Sequence, residues 1–218
     1  MVASLLSIEP PPPELAELLR PERLPDGTEP EERVIICGLS WARYLRLDQA
    51  LGEDRPGPRF YYLDGDLEVM TTSNEHERIK KWIGDLLADY FFGAGIEIVP
   101  RGQATMRLAL KQAGAEPDES WCLTKEKEFP DLVLEIALTS GGVSKLELYR
   151  RFQVAEVWFW QAGGLKMFAL RRDGSAYKEV RRSRLLPELD PALLARCARI
   201  PSWQQARREF RAGLAAAR

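Results

Sequence analysis

Histidine and cysteine are scarce in this chain, and neither charge sign is in surplus. There is one histidine, His76, and there are three cysteines, Cys37, Cys122 and Cys197. The cysteines lie far apart and form no zinc-ligand spacing and no paired framework. That excludes a zinc-ribbon or disulfide-stapled class and fits a reducing, cytoplasmic setting. The formal net charge is only -2, so nothing global draws the chain to nucleic acid or to an anionic membrane. Basic residues concentrate only at Arg171-Arg172, at Arg181, Arg182 and Arg184, and at Arg207, Arg208 and Arg211. Such runs usually make solvated faces. No apolar run approaches the ~20 residues of a membrane span. The opening "MVASLLSIEPPPP" lacks a basic n-region and a full apolar h-region, so no signal peptide is expected. Internal repeats are absent as well.

What is present reads as a single α+β domain behind a loose arm. The 218 residues suffice for one substantial core. Residues 1–33 are proline-rich and acidic and read as a flexible arm, with one helical turn at 14–19; residues 34–218 read as the domain. "GLSWARYLRLDQAL" predicts a helix capped by Ser40. "RFYYLDGDLEVM" predicts a hairpin turning at Asp64-Gly65. In "NEHERIKKWIGDLLADYFF", Asn74 reads as the N-cap, and Ile79, Ile83, Leu86, Leu87 and Tyr90 recur at helical spacing. "IEIVPRGQATMRLAL", "DESWCL" and "FPDLVLEIAL" predict strands, with "KQAGAEP" as a polar loop. Ser144-x-x-Glu147 matches a capping box and starts a helix over "SKLELYRRFQV". Three strands follow, "AEVWFWQ", "LKMFALR" and "AYKEVRRS", joined at Gly163-Gly164 and Asp173-Gly174. "DPALLARCAR" and "SWQQARREFRAGLAAA" predict two closing helices. The apolar "VWFW" suggests a homodimer if it is exposed and a core strand if it is not.

Polar residues inside apolar elements carry the functional signal. Side chains alternate along a strand. Over residues 131–138, Leu132, Leu134, Ile136 and Leu138 make one apolar face, which turns Glu135 to the other. The same alternation sets Asp118, Ser120 and Cys122 together on "DESWCL". Lys145 opens the capped helix, and Leu148, Tyr149 and Phe152 follow it at i+3, i+4 and i+7. Lys145 therefore begins the inward stripe, although a cation is disfavoured at a helix N-terminus. A single strand glutamate usually faces solvent or pairs with a lysine. Two carboxylates on adjacent strands with an inward lysine one loop away form a rarer set. Convergent carboxylates are the usual oxygen ligands of Mg²⁺, and a lysine beside them can stabilise charge developing on a phosphoryl group. That is the chemistry of metal-dependent phosphodiester hydrolysis.

"EPDESWCL", and then "FPDLVLEIALTSGGVSKLELYRRFQVAEVWFW", closely resemble the Uma-two family, described as putative endonucleases of the PD-(D/E)XK nuclease superfamily. The resemblance runs over roughly residues 59–161 and more weakly over the closing helices. It implies a restriction-endonuclease-like core of a mixed β-sheet flanked by helices. It also implies a Mg²⁺-dependent endodeoxyribonuclease, with Mn²⁺ as a substitute and DNA as partner. Asp118 after Pro117 matches the first acid and Glu135 the second, and these two are the implied metal ligands. Position 137, where the superfamily lysine ordinarily stands, is Ala137; Lys145 matches the family's displaced lysine. Asp131 after Pro130 is a rival first acid, but it lies only four residues from Glu135 on one strand, about 13 Å away at ~3.3 Å per residue. Superfamily nucleases often carry a further acid on the early helix, which makes Glu75 or Glu77 a candidate and gives His76 a role bonding a ligand carboxylate. Gln103 and Thr105 are weaker candidates to line the same cleft. The alternative reading is a catalytically silent restriction-endonuclease-like module for binding or dimerisation.

Overall fold

A two-residue turn at Asp64-Gly65, both with positive φ, sets the register of the hairpin on which half of the fold is built. Its strands are β2 (Arg59–Leu63) and β3 (Asp66–Met70). In register, Tyr61 lies opposite Glu68 and Arg59 opposite Met70. The structure, a computed structural model, describes residues 32–52, 58–137 and 142–216. The proposed helical turn at 14–19 and most of the arm lie outside those residues. Arg33 already opens a strand, β1 (Arg33–Ile36), whose short run "RVII" carries too little pattern to be recognised from sequence.

The remaining elements are α1 (Trp41–Leu51), α2 (Asn74–Ala94), β4 (Ile98–Pro100), β5 (Met106–Leu108), β6 (Ala113–Ala115), β7 (Glu119–Leu123), β8 (Leu132–Ile136), α3 (Lys145–Arg151), β9 (Glu156–Gln161), β10 (Gly164–Leu170), β11 (Tyr177–Val180), α4 (Pro191–Ala198) and α5 (Trp203–Ala216). The strands divide between two sheets. One is antiparallel, in the order β1-β3-β2-β6-β5. The other is mixed, in the order β11-β10-β9-β8-β7-β4, and its β8–β9 pair is parallel. A parallel neighbour needs a crossover, and the segment carrying α3 supplies it. The α+β class is as expected, but a second sheet stands beside the mixed one.

Alternation along β2 and β8 assigns the layers. Phe60 and Tyr62 pack with Tyr44 of α1 and Leu67 on the outer face of the antiparallel sheet. Tyr61 points the other way, into a cluster with Val133, Leu148, Tyr149 and Val157 that lies between the sheets and under α3. Leu132, Leu134 and Ile136 turn to the far face of the mixed sheet, against Ile83, Leu86 and Leu87 of α2 and the closing helices. Glu135 therefore belongs to the inner layer.

Several local expectations change. Ser40 stands at the N-cap of α1 without a side-chain cap bond. Ser73, not Asn74, caps α2, accepting from the His76 N–H, which moves Asn74 into the first turn. The segment "IEIVPRGQATMRLAL" breaks at Gly102, at positive φ, and sends β4 and β5 to different sheets. "KQAGAEP" contains the buried strand β6, whose small residues look like loop in sequence. The β9–β10 turn is Ala162-Gly163. Val157, Trp158 and Trp160 are buried and Phe159 is half-buried, so three of the four residues of "VWFW" fill the core and the run gives no ground for a dimer. Among the described residues no helix is long and apolar enough to cross a membrane.

Asp89 of α2 fastens α5 in place. Arg207 grips it through two bonds of 2.8 and 2.6 Å, and Arg211 adds one of 2.6 Å. Burial pushes the Asp89 carboxyl up, but the two guanidiniums outweigh it and hold the group below its ordinary range. A depressed carboxyl pKa contributes stability above the unfolded value near ~3.9, lost as pH falls through the folded value. Asp89→Asn is therefore expected to cost about 2 kcal/mol at pH 7. Urea denaturation should show that gap closing below roughly pH 4; a gap independent of pH would exclude the ion pairs as its cause.

Candidate active site

The chain passes from one sheet to the other through Glu116, Pro117 and Asp118, between β6 and β7. Glu116 closes the edge it leaves, accepting from the Phe60 N–H at 3.0 Å. On the far side, β7 and β8 pair with Glu119 opposite Leu134 and Ser120 opposite Val133. One further step of that register sets Asp118 opposite Glu135. Opposed residues share a face, with Cβ atoms about 4.5–5.5 Å apart. The Asp118 carboxylate ties the two strands, accepting from the Ile136 N–H at 2.6 Å through Oδ2.

Both carboxylates are buried and wrapped by donors. Asp118 Oδ1 meets His76 Nε2 at 2.8 Å and the Arg59 guanidinium at 3.0 Å. An ionised carboxylate only accepts, so His76 Nε2 carries the proton. Glu135 Oε2 takes the Lys145 ammonium at 2.7 Å and the Tyr61 hydroxyl at 3.1 Å, and Tyr149 donates to Oε1. The Lys145 Nζ also lies 3.8 Å from the centre of the Tyr61 ring, a cation–π contact. Burial pushes both carboxyls up. At Asp118 the His76, Arg59 and Lys145 contributions reverse this and hold it well below the usual carboxylate range. At Glu135 burial prevails over Lys145, and its pKa stays raised. Tyr61 and Tyr149 are held well above the phenol range by burial and then by Glu135, so both remain donors.

The early helix contributes unequally. His76 is fully buried and reaches Asp118 directly. Glu77 bonds Arg59 at 3.3 Å and pairs with Lys80, so it meets the cluster through Arg59. Glu75 does not join. One residue before His76 it is rotated by about 100° on the helix, and it pairs with Arg78. Asp131 stays away from Glu135, held by Lys127 and by the Leu123 N–H at 2.7 Å. Gln103 is exposed, and Thr105 bonds Glu116, so neither lines the cluster. Ser144 caps α3 by accepting from the Glu147 N–H at 3.4 Å. The Glu147 carboxylate turns instead to Arg150 and Arg151, so only half of the capping box forms.

Arg59, Tyr61 and Glu68 were not singled out by the sequence. Glu68 is fully buried, pairs with Arg33 at 3.0 Å and accepts from the Val143 N–H at 2.7 Å. It thereby fixes the approach to α3 and Lys145. Gly141 lies outside the described residues. Gly142 has φ of 95°, and a Cβ there would fall 2.1 Å from Glu68 Oε2.

Among the described residues no three histidine, cysteine, aspartate or glutamate side chains converge as a ready-made metal cage. Counting partners, Asp118 Oδ2 and Glu135 Oε1 each accept one hydrogen bond and keep one acceptor position. Mg²⁺ takes one or two carboxylates and fills the rest of its shell with water and phosphate oxygens, so these are the two oxygens that would hold such an ion.

The family Uma2, described as "Putative restriction endonuclease", matches residues 41–200. A crystal structure titled as a putative nuclease belonging to DUF820, from Anabaena variabilis ATCC 29413, is similar at 12% identity with a TM-score of 0.47. The match covers 79% of this chain and 99% of that one. Curated proteins return no match.

Proposed function

The chain belongs to the Uma2 family, and from that premise we propose that it is a metal-dependent endonuclease hydrolysing DNA phosphodiester bonds at Asp118, Glu135 and Lys145. The observation that carries this reading is the β7–β8 register, which opposes the two carboxylates on one face while Lys145 bonds one of them. Asp118 and Glu135 are the residues that would hold Mg²⁺, or Mn²⁺ in its place. Such an ion supplies Lewis acidity at the scissile phosphate and lowers the pKa of water. Tyr61 and Tyr149 fix the Glu135 carboxylate, and His76 and Arg59 fix Asp118, so little reorganisation is left for the reacting state. Lys145 stands where its ammonium can meet negative charge developing on the phosphoryl oxygens.

One feature favours the silent-module reading. Asp118 and Glu135 are already balanced by Arg59 and Lys145, so the cluster is neutral without a cation. Metal-dependent melting and nicking separate the two readings. In millimolar Mg²⁺ the nuclease should melt higher than in chelator, by mass action on the folded state, and should nick supercoiled plasmid only with the metal. Identical melts together with no nicking in Mg²⁺ or Mn²⁺ would leave the silent module.

A further inference from the structure

Beside Lys145 a cleft of about 350 Å³ opens along the same face of the mixed sheet. Strand register builds it. Phe159 is the β9 partner of Glu135, and Lys166 is the β10 partner of Phe159. Gln161 and Phe168 lie two residues further along each of those strands and so share that face. Phe159 and Phe168 are half-buried and meet edge to face, with ring centres 5.8 Å apart and planes at 83°. Arg33 and Lys145 complete the wall, each already matched to a buried glutamate. Lys166 is bonded to the Gln161 amide at 3.3 Å and to no carboxylate among the described residues. The described lining holds three cations and no acid.

This composition differs from that of a duplex-tracking groove. Cations alone suffice to follow a phosphate backbone. Aromatic rings beside them become useful when a base face is free to stack, and in regular duplex both faces of each base are already stacked. The volume lies at the low end for a ligand pocket, which suits one nucleotide rather than a longer stretch. Gln161 offers an amide to the edge of such a base. Lys166 offers a charge to the flanking phosphate.

We propose that this cleft receives one unstacked base next to the scissile phosphate, so that the substrate is single-stranded or locally opened DNA. The inference rests on the nuclease reading for its chemistry, but the cleft can be tested without cleavage. Fluorescence anisotropy in chelator would compare a labelled single-stranded oligonucleotide with the same sequence as duplex. Wild type should bind the single strand about tenfold more tightly or better. Phe168→Ala should weaken single-strand binding roughly five- to hundredfold, the range for losing an aromatic stacking platform. It should leave duplex binding within about twofold, and Phe168→Tyr should retain the preference. Phe168 is the chosen position because Phe159 also packs on the inner core. Unchanged melting of Phe168→Ala would show that the fold is intact. Equal wild-type affinity for the two forms, or no loss in Phe168→Ala, overturns the proposal. Tighter binding of the same sequence as RNA would overturn the choice of DNA. If the single-strand preference holds and no substrate is cut with any metal, the cleft stands and the nuclease reading falls. If both forms are bound and cut alike, the nuclease reading stands and the cleft falls.

Discussion

Glu135→Gln is expected to abolish cleavage and also to destabilise the protein, and the two effects have different origins. Glutamine keeps the shape of the side chain but not its charge. The cleavage rate should fall by on the order of a thousandfold or more, since a ligand charge at the metal is worth several kcal/mol in the transition state. The stability loss comes from Lys145. Its ammonium bonds Glu135 at 2.7 Å, and its side chain is only 12% exposed. Removing one member of a buried pair leaves the other uncompensated, which costs about 3–5 kcal/mol. For a chain of this size that is a drop of roughly 6–20 °C in Tm. The double variant Glu135→Gln/Lys145→Met removes both charges and should recover most of that loss. It should recover no activity. A double variant as unstable as Glu135→Gln alone would mean that the stability arises from the tyrosine hydrogen bonds rather than from the ion pair.

Gly142→Ala is expected to be the most damaging methyl group that can be added near the site. At φ of 95° the backbone is in a region that strains any side chain. The new Cβ would also fall 2.1 Å from Glu68 Oε2. Glu68 cannot withdraw freely, because it is buried, paired with Arg33 and holding the Val143 N–H. Displacing it strands a buried charge and loosens the turn that aims Lys145. The expected cost is about 3 kcal/mol or more, with a parallel loss of activity. Gly95→Ala is the control. Gly95 ends α2 at φ of 66°, with nothing within 4 Å of the added Cβ, so only the conformational cost of about 1 kcal/mol applies. Thermal melts of the two variants compare these directly; equal losses would show that the Glu68 contact is not rigid.

The legible part of the fold was the part written in periodicity. The inward stripe of α2, the apolar face of β8 and the Asp64-Gly65 hairpin all follow from spacing, and Glu135 is visible because it interrupts a pure pattern. Small or short elements were lost. β6 is Ala-Gly-Ala and carries no alternation to read, and its absence hid the second sheet. Arg59, Tyr61 and Glu68 could have been reached by extending the hairpin register, which puts Tyr61 opposite Glu68 and Arg59 two residues along the same face. Charged residues facing inward on a predicted hairpin were the available signal. One partner of Glu68, however, is a backbone N–H seventy-five residues away, and no local pattern announces it. Glu75 and His76 illustrate the opposite failure. The resemblance makes both of these neighbouring residues candidates, and the 100° step between them on the helix separates a buried residue from a half-exposed one.

The central claim is that Asp118, Glu135 and Lys145 perform the hydrolysis. Its most direct measurement is nicking of supercoiled plasmid by wild type and by Glu135→Gln/Lys145→Met, purified identically and checked for equal melting. The account predicts that wild type nicks in Mg²⁺ or Mn²⁺, that chelator stops it, and that the folded double variant leaves the plasmid intact under every condition. A double variant that nicks as fast as wild type would contradict the account, because the activity would then come from somewhere other than this cluster.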